Sequence, residues 1–157
     1  MVRALPHTAS CFVCGESNVS GLKIRFQTDG DIVRARFVPL PEHIGFKQTI
    51  HGGIIACLLD EIMVWACAVK TKKFSYCAEL NVRFQHPARP GKEVFATGEL
   101  TSNRRGKLFE ARGELRDADG TILATGTGKY LPIKPAELTA MMDDFVGDPG
   151  EWISKKD

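Results

Sequence analysis

The residues best suited to chemistry lie in one apolar stretch, HGGIIACLLDEIMVWAC at 51–67. It holds two adjacent acids, Asp60 and Glu61, although charged side chains are rarely buried without a partner. An acid in apolar surroundings is a better general base than an exposed one. Gly52 and Gly53 precede these acids, and backbone N–H groups at a helix start favour negative charge. The stretch therefore offers a candidate base and candidate donors to an oxyanion.

The stretch itself is predicted to form a helix. Residues 53–71 contain no helix breaker, and apolar residues recur at helical spacing on almost every side, so other structure should wrap this helix. Asp60 lies seven residues after Gly53, about 10 Å along the axis, and cannot easily serve the same helix end. Asp60 and Glu61 are about 100° apart around the helix, so they should not face one pocket. We expect Glu61 to be a structural group, with a buried pair or a hydrogen bond to a loop, and keep it as the alternative acid.

Strand patterns surround the helix on both sides. Alternating residues in GLKIRFQTDGDIVRARFVPLP predict a hairpin that turns at Asp29 and Gly30. Four strand-like segments follow the helix and, because their connections are short, are predicted to be antiparallel neighbours: 76–85, 93–102, 107–116 and 121–131. The chain is thus predicted to be one α+β domain over 1–157, with a core at about 20–133, an N-terminal extension 1–19 and a tail 134–157 that includes a short helix.

Composition narrows the function classes. The chain has 157 residues, 43% hydrophobic and 25% charged, and a formal net charge of +2, which implies no nucleic-acid partner by itself. The opening MVRALPHTASCFVCG lacks the apolar core of a signal peptide, so we expect a cytoplasmic protein without a membrane anchor. Five cysteines suggest reduced thiols. Cys11 and Cys14 have C-x-x-C spacing, but no second pair follows, which favours packing over zinc; His43, His51 and Asp60 form no zinc pattern either.

Several motifs in order resemble the hotdog-fold acyl-CoA thioesterases of the phenylacetyl-CoA and 4-hydroxybenzoyl-CoA thioesterase superfamily. These are HGG at 51–53, an acid nine residues after His51, the strand AELNVRF, the HPARPG connection and DADGTILATGTGKY near the end. The resemblance covers roughly residues 11–132. It implies a long helix enclosed by a curved antiparallel sheet, a homodimer or dimer of dimers, and active sites built from both chains at the dimer interface.

The resemblance also implies site roles and an acyl-CoA substrate that is hydrolysed without a metal or an organic cofactor. Asp60 would be the catalytic acid, either nucleophile or general base, and would serve Gly53 of the other protomer. The Gly53 N–H would be the donor to the thioester carbonyl, with Gly52 beside it in the turn. His51 would orient the loop. A non-catalytic acyl-CoA binding or sensing protein remains an alternative, and an acyl-thioester dehydratase a further one.

The chain departs from the resemblance at two positions. Relatives often carry Asn or Gln six residues before the histidine, where this chain has Gly45; His43 and Gln48 are the nearest polar candidates. Relatives often carry Ser or Thr where this chain has Cys77, and a thiol is a poorer hydrogen-bonding group.

The phosphates of a CoA ester need cations, and two basic groups could supply them. The candidates are Arg89 and Lys92 at one connection and Arg104 and Arg105 at another. Solvated basic turns are the alternative interpretation of both groups.

Overall fold

One long helix organises the chain. In the computed structural model, which describes residues 1–153, α1 spans Gly52–Thr71 and has ten buried side chains. Lys72 ends it in the left-handed conformation with φ of 58°, and its N–H donates to the Ala68 carbonyl. Lys70 in the last turn complements the negative end of the helix dipole. The predicted helix is confirmed to within a residue of its expected start.

A seven-stranded antiparallel sheet wraps this helix. Its strand order along the sheet is β1-β3-β4-β6-β7-β8-β5. The strands are β1 Arg3–Ala4, β3 Phe26–Thr28, β4 Val33–Phe37, β5 Ser75–Phe84, β6 Val94–Arg104, β7 Leu108–Asp117 and β8 Ile122–Pro132. A small second sheet pairs β2 His7–Thr8 with β9 Phe145–Val146, and α2 Pro135–Thr139 lies between β8 and β9 in the chain. The helix and sheet together form the α+β arrangement expected from the sequence.

The predicted hairpin forms, but its first strand is shorter than the pattern suggested. β3 and β4 pair around Asp29 and Gly30, whose φ is 104°. The alternating pattern begins near Leu22, yet β3 starts only at Phe26. Lys23 has φ of 55°, a left-handed conformation that a regular strand does not contain. Leu22 remains buried although it lies outside the strand.

The prediction that β5 and β6 are antiparallel neighbours is wrong. β5 pairs with β8 at the end of the sheet, and β6 lies between β4 and β7. The connection 85–93 is long enough to cross to the other side of the helix, so it does not force a hairpin. Within residues 1–153, β5 has no strand along its second edge.

Glycines let the helix approach the sheet closely. A Cβ on Gly98 in β6 would lie 2.8 Å from the Ile62 backbone oxygen. A Cβ on Gly113 in β7 would lie 3.2 Å from a Leu59 methyl group, and one on Gly126 in β8 would lie 3.3 Å from the end of Met63. The row of small residues across the sheet therefore sets how closely α1 packs.

The N-terminal and C-terminal segments pack onto this core. Leu5, Val13 and Cys14 are buried in the main hydrophobic cluster, and so is Trp152 near the other end. The guanidinium carbon of Arg3 lies 4.7 Å from the Trp152 ring centroid. These contacts join the two segments to each other and to the helix–sheet core.

α1 is long and apolar enough to cross a membrane by length and composition alone. Leu59, Ile62 and Met63 at its centre are fully buried in the folded chain. The sheet thus accounts for the apolar composition of the helix.

Gly98→Ala should reduce stability because the new methyl group would meet backbone at the helix. We expect a loss of about 1–3 kcal/mol in the free energy of unfolding, measured by urea titration, which is the usual range for overpacking. Thr101→Ala, an exposed position on the same strand, is the matched control and should change little. Equal stability of Gly98→Ala and the control would contradict the close approach.

Candidate active site

His51 fixes the start of α1. It is the N-cap residue, and its Nδ1 accepts a 2.8 Å hydrogen bond from the Gly53 N–H. Because Nδ1 accepts, the ring is neutral and its proton lies on Nε2. A Cβ on Gly53 would lie 2.9 Å from Nδ1, and one on Gly45 would lie 3.1 Å from the ring. Both glycines therefore make room for the imidazole, which is the loop-orienting position expected of His51.

This cap changes which backbone donor can reach a ligand. The Gly53 N–H, the donor expected from the sequence, is already bonded to His51. The N–H groups of Ile54 and Ile55 both point to the His51 carbonyl. In the described part of the chain, the Gly52 N–H has no protein acceptor. Gly52 is therefore the helix-start residue with an available N–H, and Gly53 serves the cap.

A cavity of about 380 Å³ opens beside Gly52 and His51. It is lined mostly by apolar groups from the loop before α1, the first turn of α1 and the end of β5: Gly45, Phe46, Thr49, Ile50, His51, Gly52, Ile55, Phe84, Gln85, His86, Pro87 and Ala88. Two of these, Phe46 and Phe84, are exposed aromatic side chains, and a Cβ on Gly52 would touch the Phe84 ring at 3.1 Å. Neither aromatic residue is predicted as a site residue from the sequence, since single exposed phenylalanines carry no periodic signal.

Asp60 belongs to a second cluster, with Tyr130 and Cys77. The Tyr130 hydroxyl donates to Asp60 Oδ1 at 3.2 Å. Burial, and then the Asp60 charge, raise the pKa of Tyr130, so its hydroxyl stays a donor. The Cys77 thiol lies beside both groups; desolvation and the Asp60 charge raise its pKa to about 11, so it too stays protonated. Two predicted residues, Asp60 and Cys77, thus come together around a tyrosine that sequence reasoning missed.

The sheet places Tyr130 under Asp60. Tyr130 on β8 is paired in register with Cys77 on β5, and a bulge follows Cys77 before Glu79. A Cβ on Gly128 would lie 2.6 Å from the Tyr130 ring, so only glycine leaves space for this ring. The alternation in GTGKY indicates an inward tyrosine, but the partner of its hydroxyl depends on how β8 crosses α1.

The two clusters are apart within one chain. Gly52 and Asp60 are eight residues apart on α1, about 12 Å along the axis. Cys77 and Phe84 are seven residues apart on β5, about 24 Å along the strand. The helix-start cluster and the Asp60 cluster therefore lie near opposite ends of the same edge strand.

Glu61, the alternative acid, faces a different neighbourhood. Its carboxylate oxygens lie 3.7 and 3.8 Å from the Cys11 Sγ in the N-terminal segment. Burial, followed by the nearby Cys11, raises the pKa of Glu61 to about 8. It contacts a loop, as expected for a structural group, and it does not line the cavity.

His43, Gln48 and Arg89 hold the loop before α1. The His43 Nδ1 accepts from the Leu40 N–H at 3.0 Å, and its carbonyl accepts from the His51 N–H. Arg89 donates to the Gln48 carbonyl at 3.0 Å and to Thr49 Oγ1 at 3.1 Å. The predicted binding residues of this group thus make loop contacts, and none of the three lines the cavity.

The two predicted cation groups lie at opposite ends of β6. Lys92 precedes β6, while Arg104 ends it and Arg105 forms the next turn with φ of 55°. The strand has 11 residues, so the groups are about 34 Å apart. Arg104 pairs with Glu110 at 2.8 Å. One phosphate group cannot contact both cation groups of a single chain.

A long helix wrapped by one antiparallel sheet is the arrangement of hotdog-fold proteins. The sequence profile of the thioesterase superfamily matches residues 47–124, which include α1, β5, β6 and β7. The chain belongs to the thioesterase superfamily. No curated protein sequence matches the chain.

Solved structures share the fold of this chain. The thioesterase superfamily protein RHA08564 is 27% identical, with a TM-score of 0.71 over 77% of this chain; the match spans 59% of that longer protein. The PaaI protein of the E. coli phenylacetic acid degradation operon is 18% identical, with a TM-score of 0.66 over 72% of this chain and 81% of PaaI. Protein smu.793 of Streptococcus mutans, solved with acetyl CoA, is 14% identical, with a TM-score of 0.61 over 66% of this chain and 82% of its own.

His51→Ala should destabilise the start of α1 because the Gly53 N–H loses its acceptor. We expect a loss of about 1 kcal/mol in the free energy of unfolding, typical of a removed N-cap, measured by urea titration. His51→Asn supplies another N-cap acceptor and should retain most of the stability. Equal losses in both variants would show that the imidazole acts through packing and not through the hydrogen bond.

Proposed function

We propose that the protein is an acyl-CoA thioesterase that hydrolyses a thioester to a free acid and CoA as a homodimer. Membership of the thioesterase superfamily supports the reaction class. A structural neighbour solved with acetyl CoA supports a CoA ester as the ligand. The cavity of about 380 Å³ beside Gly52 offers an apolar wall to an acyl group.

The observation that carries the proposal is that the helix-start cluster and the Asp60 cluster lie at opposite ends of β5, whose outer edge is unpaired within residues 1–153. Two copies of β5, paired antiparallel about a two-fold axis near Leu80 and Asn81, would set Cys77 of one protomer beside Phe84 of the partner subunit. The Asp60 cluster of one chain would then adjoin the Gly52 cavity of the other. Tyr76 and Phe84, both exposed in the single chain, would be covered by this pairing. A dimer of dimers is compatible with the same interface.

The proposed chemistry uses one group from each cluster. The Gly52 N–H, at the positive end of α1, binds the thioester oxygen and stabilises its negative charge in the tetrahedral intermediate. Asp60, held at Oδ1 by Tyr130, uses its other oxygen to take a proton from water or to attack the carbonyl carbon. Either route breaks the carbon–sulfur bond and releases CoA thiolate, which takes up a proton. Direct attack leaves a mixed anhydride on Asp60, which water then hydrolyses to the free acid. In single-turnover hydrolysis in ¹⁸O-water, label in Asp60 identifies this route, because only water that attacks the Asp60 carbonyl carbon of the anhydride places it there.

The remaining parts of the proposal concern the surroundings of this reaction. Phe46 and Phe84 would contact the acyl group, and Lys92, near the cavity side of β6, would contact phosphates. The reaction needs water and the substrate alone, without an organic cofactor. We place the protein in the cytoplasm, where acyl-CoA substrates and reduced thiols are found.

The alternatives are less well supported. A dehydratase needs a histidine paired with an acid, whereas the His51 Nδ1 is occupied by the Gly53 N–H and Asp60 is bonded to Tyr130. A non-catalytic binding protein is an alternative because Gly45 and Cys77 replace polar residues that relatives often carry. Tyr130 supplies a hydroxyl to Asp60 from β8, which favours catalysis.

Asp60→Asn should lower kcat about 10²–10⁴-fold because the amide can neither take a proton nor attack. Activity is measured as thiol release from short, medium, long-chain and aromatic acyl-CoAs. Tyr130→Phe should lower kcat less, since it removes only the hydrogen bond that holds Asp60. Asp119→Asn, at an exposed turn, is the control and should match the unsubstituted protein. Full activity of Asp60→Asn would reject the catalytic role of Asp60. If CoA esters raise the melting temperature of the unsubstituted protein but it hydrolyses none of them, the binding-protein alternative is favoured.

Gly52→Pro should remove the oxyanion donor with little effect on the fold. Proline suits the first helical position, and the ψ of 132° at His51 suits a residue before proline. We expect kcat to fall about 10²–10³-fold. Gly52→Ala adds the same Cβ against the Phe84 ring but retains the N–H. It is the matched control and should keep more activity than Gly52→Pro.

A heterodimer tests the shared site directly. One Gly52→Pro chain and one Asp60→Asn chain, copurified through two different tags, contain one intact composite site. We expect about half of the wild-type activity per dimer from that site, although each homodimer is inactive. A heterodimer as inactive as its parents would place both groups in the same chain and reject the shared site.

A further inference from the structure

The N-terminal loop CFVCG is built around two cysteines. The Gly15 N–H donates to the Cys11 carbonyl at 2.8 Å, and a Cβ on Gly15 would lie 2.2 Å from that carbonyl oxygen. The Ile24 N–H donates to the Val13 carbonyl at 2.9 Å, which fastens the loop to the segment before β3. Cys14 is buried. The loop is therefore held in one conformation by backbone contacts on both sides.

Sulfur and oxygen donors converge inside this loop. The Val13 N–H donates to the Cys11 Sγ at 3.3 Å, a contact that stabilises negative charge on sulfur. Glu61 reaches the loop from α1 and places its carboxylate oxygens 3.7 and 3.8 Å from the same sulfur. One ligand atom from each of Cys11, Cys14 and Glu61 lies within 4.8 Å of the other two.

These separations fit a small tetrahedral ion. Zinc binds thiolate sulfur at about 2.3 Å and carboxylate oxygen at about 2.1 Å, so two such ligands at a tetrahedral angle are about 3.6 Å apart. The Cys11–Glu61 separations of 3.7 and 3.8 Å are close to this value. The Cys11–Glu61 pair could therefore hold an ion without movement of α1, and Cys14 lies within 4.8 Å of both ligand atoms.

We propose that Cys11, Cys14 and Glu61 bind one Zn²⁺ ion, with water in the fourth position. Thiolate ligands favour zinc over magnesium or calcium. Zinc binds two thiolates and one carboxylate, so binding releases whichever protons Cys11, Cys14 and Glu61 carry. The ion would join the N-terminal segment to α1 at the residue next to Asp60. This site is independent of the proposed hydrolysis.

The C-x-x-C spacing alone favours a packing role for Cys11 and Cys14 over a zinc site, because no second cysteine pair follows it. The third ligand comes from α1, fifty residues from Cys11 in the chain. Glu61 is also the acid that the cavity does not use. The two cysteines of the loop and Glu61 therefore complete one set of metal ligands.

The test uses the full chain, purified with a phosphine reductant and without chelators. Elemental analysis after incubation with zinc and removal of excess should give about one zinc per chain. Cobalt substitution should give a thiolate charge-transfer band and strong visible bands. Chelation should lower the melting temperature, and zinc should restore it. A protein whose zinc-free form takes up no zinc and shows no thiolate band with cobalt would overturn the proposal.

Variants identify the ligands. Cys11→Ser and Cys14→Ser should abolish the thiolate band, and Glu61→Gln should weaken zinc binding at least about tenfold. Cys77→Ser removes an exposed thiol outside the cluster and should bind zinc like the unsubstituted chain. Equal binding by all four variants would show adventitious surface binding and reject the site. If a cysteine variant does not fold, the cobalt spectrum of the unsubstituted chain still decides the matter.

Discussion

Burial of α1 is the constraint on which the rest of the structure depends. A helix that is apolar on nearly every side must be covered, and one curved sheet covers it here. The sheet can approach closely because Gly98, Gly113 and Gly126 lie where the helix crosses β6, β7 and β8. The same wrapping leaves β5 at the end of the sheet, with one edge unpaired within residues 1–153. The position of that edge follows from the need to enclose the helix.

The polar groups of α1 are placed by this enclosure. Each acid must find a partner where the cover allows it, because an unpaired buried charge is costly. Asp60 accepts a hydrogen bond from the Tyr130 hydroxyl on β8, the strand next to β5. Glu61 contacts the Cys11 thiol in the N-terminal loop. Adjacent residues therefore lie in different environments. The one near the edge suits chemistry on a ligand, and the other suits a structural role that a metal ion could complete.

The sequence predicted most of the elements and part of the site. The helix and the four long strands follow from periodicity, and their bounds agree to within two residues. The late start of β3 at Phe26 does not follow from the pattern, because the left-handed conformation of Lys23 does not change the alternation of apolar residues. The resemblance implies Gly53 as the donor, but a motif shows only which glycines are present. The side chain of His51 decides which N–H remains available. Tyr130 was missed because its partner lies on another element.

The sequence by itself determined that a long apolar helix with two central acids needs a sheet around it, since spacing and hydrophobicity are local properties. Tertiary structure alone decided that β5 pairs with β8, because strand order depends on the path of the connections and not on strand pattern. It also decided the partners of Asp60 and Glu61. Those partners come from Tyr130 and Cys11, distant in the chain, and packing around the helix brings them within hydrogen-bonding reach.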